Sequence, residues 1–376
     1  MPLNTPREGF EVKSNEPLTP YTTFKIGGPA RYFARVRNED ELRQALAFRN
    51  TESLNLFVLG GGSNILISDR GFDGLVIHMA SQGLSIEDES DETVALRLSA
   101  GETWDRVVEH AVERGWWGIE NLSHIPGQAG AALVQNIGAY GQQLSDVLRH
   151  AEVLEISTST LKSLAAADCA MDYRKTIFNT THKNRFVITS LTLKLAKRGQ
   201  PNLTYPDVKA HFEAKGSSRP SLSEIRQAII AIRDAKFPFP KEERGGNAGS
   251  FFKNLVLSEA EYQVLAANVR RDFGPAEVAR LGEIRNRFQY AAGIKIPAAF
   301  LMDICGLKGC EKGRAKVNET QPLVILNMGG ATANDVLRLA KHVRATIYRR
   351  TGITLSLEPE LVGFTHAEIS QFLSLD

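Results

Sequence analysis

The sequence predicts a mixed α+β protein of two or three domains, and three observations lead there. At 376 residues the chain exceeds what one hydrophobic core organises, since single cores stop growing beyond about 250–300 residues. Short apolar runs of strand length interleave with stretches whose apolar residues recur at helical spacing. A proline-aromatic break, Phe237-Pro238-Phe239-Pro240, then interrupts the pattern, and a domain boundary is expected there.

In the first region residues 31–36 predict a strand, and Asn38 with Glu41 predicts a capping box opening a helix through Phe48. Residues 54–59 form a short apolar run leading into Gly60-Gly61-Gly62-Ser63-Asn64. Strands are expected at 65–67 and 75–78, separated by the turn-rich Asp69-Arg70-Gly71-Phe72-Asp73-Gly74. In the second region residues 93–98 alternate apolar and polar, the mark of a half-buried strand. Residues 103–114 place Val107, Val108, Ala111 and Val112 at helical spacing, with Gly115 expected as C-cap. Residues 153–156 and 186–195 predict strands, and Ser221 with Glu224 opens a helix bearing Ile225, Ala228, Ile229 and Ile232 on one face.

Beyond the break, the polar residues 241–249 are expected to form no packed element. Helices are expected at 259–269 and from Pro297, where proline suits a first turn. Residues 323–327 predict a strand, and 335–350 a helix with Val336, Leu339, Ala340, Val343 and Ile347 inward, closed by Gly352. There is no internal repeat.

Composition narrows the function classes. Hydrophobic residues are 43% and charged residues 23%, as in globular proteins. The 45 basic and 43 acidic side chains leave a net charge of +2, so no strong field for nucleic acid or anionic membrane is expected, and phosphate must be held by local sites. Residues 1–24 are polar and proline-punctuated rather than a signal peptide, and no run approaches the ~18 apolar residues of a membrane span. Cys169, Cys305 and Cys310 lack CxxC spacing, which suits a reducing cytoplasm and predicts no metal site.

Two glycine-rich segments are the candidate ligand loops. Gly60-Gly61-Gly62-Ser63-Asn64 follows a strand and can turn successive N–H groups toward an anion. It is neither a Walker A loop nor GxGxxG, because Ile65 holds the final glycine position, and alone it reads equally as a structural turn. Ile125-Pro126-Gly127-Gln128-Ala129-Gly130 and Asn136-Ile137-Gly138-Ala139-Tyr140-Gly141 form a long small-residue stretch that permits close backbone approach to a flat ligand; a buried turn is the plainer alternative.

These segments, with Thr22-Thr23-Phe24-Lys25-Ile26-Gly27-Gly28-Pro29-Ala30, Asp172-Tyr173-Arg174, Gly249-Ser250-Phe251-Phe252-Lys253-Asn254 and Leu357-Glu358-Pro359-Glu360, resemble the UDP-N-acetylenolpyruvoylglucosamine reductases in order along nearly the whole chain. Gln200-Pro201-Asn202-Leu203-Thr204-Tyr205 resembles the tyrosine loop of the family's first type. The resemblance implies a three-domain flavoprotein: a two-lobed FAD-binding module of the PCMH/VAO type and a C-terminal α+β domain for a UDP-sugar. It implies divisions at 1–70 with 357–376, at 71–237 and at 238–356. Gly60, Gly61, Gly62, Ser63 and Asn64 would then take the FAD pyrophosphate, and Ile125, Pro126, Gly127, Gly130, Asn136, Gly138 and Ala139 the isoalloxazine. NADPH would reduce the flavin in the pocket that later takes substrate. The end of the chain would return to the first domain. A monomer is favoured, with no nucleic-acid or membrane partner.

The implied reaction is conjugate hydride addition to an enolpyruvyl ether. Negative charge develops on the carboxylate, and the carbanionic carbon needs a proton. Arg174 matches a carboxylate bidentately, although an arbitrary arginine is usually a surface cation. Glu360 suits the motif's catalytic position, and helps only if protonated or sharing a proton; Glu358 lies close enough to be mistaken for it. Ser250 would deliver the proton, the plainer reading being a cap after glycine. By the same resemblance Tyr205, Lys236, Asn254 and Gln321 contact the UDP-sugar, Tyr205 closing over it. Departures from the family pattern occur at Leu133, Met171, Asp172, Asn179, Asn318 and Leu361-Val362, and bear on site geometry more than on reaction type. Two alternatives stay open: an FAD oxidoreductase of the same superfamily with another substrate, and a flavin- or nucleotide-sugar-binding protein without turnover.

Overall fold

The computed structural model describes residues 10–236, 245–290 and 293–374. The expected break at 237–240 and the polar residues 241–244 lie outside the described residues, as do residues 1–9.

In chain order, β1 (Val12–Pro17) and β2 (Pro29–Val36) precede α1 (Glu39–Thr51), where Asn38 accepts the Glu41 N–H at 2.9 Å. Then come β3 (Leu56–Leu59), β4 (Ile65–Ile67), β5 (Phe72–Met79), β6 (Leu84–Glu89), β7 (Thr93–Ser99) and α2 (Trp104–Glu113). Gly115, just past α2, adopts φ +74°, the left-handed residue this helix end uses. There follow α3 (Ala129–Val134), β8 (Gly138–Ala139), β9 (Gln142–Gln143), β10 (Leu148–Glu155), β11 (Thr160–Ala165), β12 (Phe186–Ala196), α4 (Pro206–Ala214) and α5 (Leu222–Lys236). The C-terminal part holds β13 (Leu255–Leu257), α6 (Glu259–Phe273), α7 (Pro275–Arg287), β14 (Gln289–Tyr290), β15 (Gly293–Ile296), α8 (Ala298–Ile304), β16 (Glu311–Lys312), β17 (Ala315–Val317), β18 (Ile325–Asn327), α9 (Ala333–Thr351), β19 (Glu360–Val362) and α10 (His366–Leu373).

Two compact units result, one within residues 1–16, 30–61 and 73–235, the other within 17–29, 62–72 and 236–376. The first contains a four-stranded sheet, β1-β2-β5-β3, in which β3 and β5 run parallel. It also contains a five-stranded antiparallel sheet, β11-β10-β12-β7-β6. Both share one core, in which Leu46, Leu75, Leu96, Trp104, Val107 and Leu191 are almost fully buried. A smaller cluster joins Val208 and Phe212 of α4 to Ile225, Ala228 and Ile229 of α5 and to Tyr140. The second unit pairs β13-β15-β14 and β16-β17-β18 with a core fed by α6, α8 and α9; Val336, Leu339, Ala340, Val343 and Ile347 of α9 are buried as their spacing predicts. In it β19 runs parallel to β4, and α10 lies against α9.

Three local expectations change. The small-residue stretch contains a helix, α3, because Ala129 and Gly130 donate to the carbonyls of Glu102 and Ala100 (2.9 and 2.8 Å). A Cβ on Gly130 would lie 2.9 Å from the Ala100 Cβ, so glycine seats the helix there. Residues 246–248 are packed rather than loose. Gly246 exchanges hydrogen bonds with Asn327, and Asn247 and Ala248 are buried. A Cβ at 246 would meet the Thr23 carbonyl oxygen at 2.1 Å, so this polar-looking run packs through its glycine. Pro297 stands at the N-cap of α8 instead of inside the first turn. Among the described residues no helix is long and apolar enough to cross a membrane, and all three cysteines are free thiols.

Candidate active site

In the first unit β3 ends at the buried Leu59, and its carboxyl end opens on Gly60 and Gly61. A Cβ on Gly61 would sit 2.7 Å from the Gly127 Cα; one on Gly60 would sit 2.9 Å from the Ala131 Cβ. Only glycine lets the two loops approach this closely, so the two candidate ligand loops form one cradle. The second loop is held from behind, where the Trp104 N–H donates to the Gly127 carbonyl at 3.0 Å. The amides of Ala129 and Gly130 are already used by Glu102 and Ala100. Facing the cradle, Gln128 Oε1 is buried and takes no hydrogen bond among the described residues. A buried acceptor left without a donor is costly, and a ligand hydroxyl or imide N–H would satisfy it. This orphaned oxygen and the glycine contact fit an FAD site.

Arg174 is fixed in the same unit. Asp172 and Lys175 exchange hydrogen bonds (2.9 and 3.1 Å) across a two-residue turn, with Arg174 at its second central position at φ +56°. That left-handed conformation costs a non-glycine residue about 1–2 kcal/mol. The guanidinium reaches back to the carbonyls of Asn136 (3.4 Å) and Gly138 (3.0 Å), and lies over the Tyr173 ring. Arg174 therefore sits against residues 136–138 of the small-residue stretch. Asn136, also left-handed and buried, ties the turn down by donating to the Asp172 carbonyl at 3.1 Å. The departure at Asn179 has a purpose here: its amide donates to the Arg174 carbonyl at 3.1 Å.

Tyr205 meets Tyr140 edge to face, ring centroids 5.1 Å apart, and is 37% exposed. Burial pushes the Tyr140 hydroxyl up to about 12, so it stays protonated at neutral pH. The tyrosine loop is stitched to residues 140–141, because Asn121 donates to the carbonyls of both Tyr140 and Asn202, while Asn202 donates to that of Gly141.

The second unit holds the other candidates. Gly62 has φ +60°, and a Cβ there would lie 2.0 Å from the Tyr21 carbonyl oxygen. Asn64 donates to the Glu358 carbonyl (3.3 Å), and its own carbonyl accepts the Glu360 N–H (3.0 Å). Ser250 lies in an extended segment between two neighbours. On one side it bridges Val324; on the other, Phe252 bridges Leu357 and the Phe251 carbonyl accepts the Glu358 N–H. Continued one step, that antiparallel register sets Ser250 opposite Pro359, the neighbour of Glu360. Phe251 and Phe252 are both buried, which makes the segment rigid. The structure thus brings Ser250 and Glu360 onto adjacent backbone segments. Gln321 closes the turn before Val324, and its Oε1 is buried without a partner among the described residues. Asn254 turns its Oδ1 to the Ala298 N–H at 3.1 Å, which leaves its amide group for a ligand. Lys236 ends α5, its carbonyl accepting from the Asn318 amide at 3.4 Å.

Sequence reading missed His124, Asp105, Arg226, Arg233 and Asp234, which surround the entry to the second glycine loop. None lies in a recognisable motif; only folding brings α2 and α5 to that loop.

The family model for the UDP-N-acetylenolpyruvoylglucosamine reductase C-terminal domain matches residues 240–362, and that for an FAD binding domain matches residues 30–164. The UDP-N-acetylenolpyruvoylglucosamine reductase of Flavobacterium johnsoniae is 36% identical over 354 residues, covering 94% of this chain and all of that one. Its namesake from Neisseria gonorrhoeae is 37% identical over 349 residues, 93% of this chain and 96% of the relative. The crystal structure of the Thermus caldophilus enzyme of that name superposes with a TM-score of 0.63 at 24% identity, covering 94% of this chain and 98% of its own, and so shares the fold. With such identity along almost the full length of both chains, this protein belongs to the UDP-N-acetylenolpyruvoylglucosamine reductase family.

Proposed function

We propose that this chain reduces the enolpyruvyl double bond of UDP-N-acetylglucosamine enolpyruvate, giving UDP-N-acetylmuramate for peptidoglycan synthesis, with FAD as cofactor and NADPH as reductant. The observation that carries the reading is full-length identity of 36–37% to proteins of that name. FAD held at the glycine loops would supply the hydride for the terminal alkene carbon once NADPH had reduced it.

The chain's own residues do the rest. The Arg174 guanidinium pairs with the substrate carboxylate, where charge develops; a preorganised donor of this kind is worth about 3–4 kcal/mol in the transition state. Its anchorage on two backbone carbonyls supports that role, because a fixed donor needs no reorganisation. Ser250 delivers a proton to the carbon α to the carboxylate, a transfer worth ~10²–10⁴-fold in rate. Glu360 shares a proton with the developing enediolate. Lys236 meets the diphosphate, Asn254 and Gln321 the polar edges of the nucleotide, and Tyr205 covers the bound substrate. The orphaned Gln321 oxygen supports its assignment.

The division into 1–70 with 357–376, 71–237 and 238–356 is proposed alongside; the C-terminal family match, which begins at residue 240, supports the boundary before 238. Every role falls within one chain, so a monomer suffices. The free thiols suit a reducing compartment, and we place the reaction in the cytoplasm.

The test mixes purified holoenzyme, NADPH and the enolpyruvyl UDP-sugar, and follows the nicotinamide absorbance. Substrate-dependent oxidation is expected. Oxidation that ignores the UDP-sugar would point to another flavin-dependent reaction, and bound flavin without turnover to a binding protein.

A further inference from the structure

His124 is the residue from which the second glycine loop departs, and its backbone N–H, its carbonyl and one imidazole nitrogen are held by side chains from two helices. Its N–H donates to the Asp105 carboxylate of α2 at 2.5 Å. Its carbonyl accepts from Arg233 Nε of α5 at 3.0 Å, and its imidazole Nε2 lies 3.1 Å from the Asp234 carboxylate. Asp105 is in turn gripped by both terminal nitrogens of Arg226, about two turns back from Arg233 on the same face of α5, at 2.6 and 3.0 Å. His124 itself is left-handed, φ +61°, a conformation an isolated histidine rarely keeps. Arg233 also hydrogen-bonds the Tyr140 hydroxyl, and Tyr140 is the ring against which Tyr205 rests.

We propose that Arg233 is a positioning residue: by holding the His124 carbonyl and the Tyr140 hydroxyl on one guanidinium, it sets the Ile125–Gly127 loop and the seat of Tyr205 together. This rests on the reading that the loop takes the flavin and that Tyr205 covers the substrate. A guanidinium suits the task because its donors form a rigid fork, so the angle between the two acceptors is fixed once the side chain is packed. A lysine at 233 offers a point charge without that fork. Strain in a left-handed residue persists only where its surroundings over-determine it, and three separate side chains do so at His124.

The test uses the holoenzyme with Arg233→Met, Arg233→Lys and Tyr140→Phe. Hydrogen exchange is read at residues 124–130 and 202–209, together with the visible flavin spectrum, kcat and KM. In Arg233→Met, exchange should rise in both segments and not elsewhere in the unit, and the flavin band should shift. KM for the enolpyruvyl UDP-sugar should rise roughly tenfold, the loss carried by one hydrogen bond to a charged group. Arg233→Lys should restore the 124–130 segment in part. Tyr140→Phe removes one oxygen and should raise exchange at 202–209 alone, so it decides the matter if Arg233→Met does not fold. Native exchange in both segments with an unchanged KM would overturn the proposal, as would loss of protection spread evenly through the unit. A chain that never oxidises NADPH with the UDP-sugar defeats the proposed function instead, while the exchange and flavin spectrum still read the clamp.

Discussion

Asn254 Oδ1 accepts the Ala298 N–H at 3.1 Å and so caps α8, a helix whose own cap position is occupied by Pro297. Proline has no side-chain acceptor, so the cap arrives from a segment 44 residues earlier. The same residue closes the stretch Gly249–Asn254 that carries Ser250. The oxygen of this amide thus ties the segment carrying the proposed proton donor to the helix start, while its nitrogen end is the one proposed to meet the nucleotide.

Those two ends can be separated. Asn254→Ala should lose about 1 kcal/mol of stability with the cap. Asn254→Asp keeps the capping oxygen and should melt close to the native protein, yet it sets an anion where an amide met the nucleotide, so KM should rise. Thermal melts and steady-state kinetics on both variants check this; equal KM values for native and Asp variants would remove Asn254 from substrate binding.

Ser250→Ala should leave reduction of the flavin by NADPH near native and slow the transfer to substrate by ~10²–10⁴. Stopped-flow measurement of the two half-reactions distinguishes the outcomes. Because Phe251 and Phe252 hold the segment from both faces, the loss of one hydroxyl should not move it. If both half-reactions fell together, the hydroxyl would be structural.

Arg174 combines function with backbone strain, and glycine separates the two. Arg174→Ala keeps a Cβ at φ +56°, whereas Arg174→Gly does not. The glycine variant should therefore be more stable than the alanine variant by about 1 kcal/mol. Both should lose the same few kcal/mol of transition-state stabilisation, read as a ~10²–10³-fold drop in kcat. Denaturant melts supply the first comparison and turnover the second. Native turnover in either variant would take Arg174 out of the mechanism.

How much of this was legible in the sequence depends on whether the signal was local. Asn38 with Glu41, Ser221 with Glu224 and the α9 apolar stripe depend on residues a few places apart, and they appear in the structure where spacing put them. Gly60 and Gly61 were visible as glycines, but not the reason for them, which is contact with Gly127 and Ala131 across the fold. α3 carries no helical signal in its own residues, because glycine among alanines lacks periodicity; seating on Ala100 decides it. The His124 clamp left no trace, because its acids and arginines look like ordinary solvated faces of α2 and α5 until those helices are placed.

His78 gives the protein a pH response that can be worked out in sign. It lies on β5, stacked on the buried Phe33 ring at 6.0 Å, and burial, helped by the nearby Arg35 charge, lowers its pKa from 6.5 to about 4. Between those values the unfolded chain binds a proton at His78 that the folded chain refuses. Stability from this residue is therefore complete above pH 6.5 and is lost as pH falls toward 4. His78→Phe keeps a ring against Phe33 and removes the titration. The difference in stability between variant and native protein should be constant at neutral and higher pH, then grow in the variant's favour through that window. His211 and His342 are lowered by burial in the same direction, so the variant should retain part of the slope. Urea unfolding of both proteins across the window measures it, and parallel curves would show that His78 titrates alike in the folded and unfolded states.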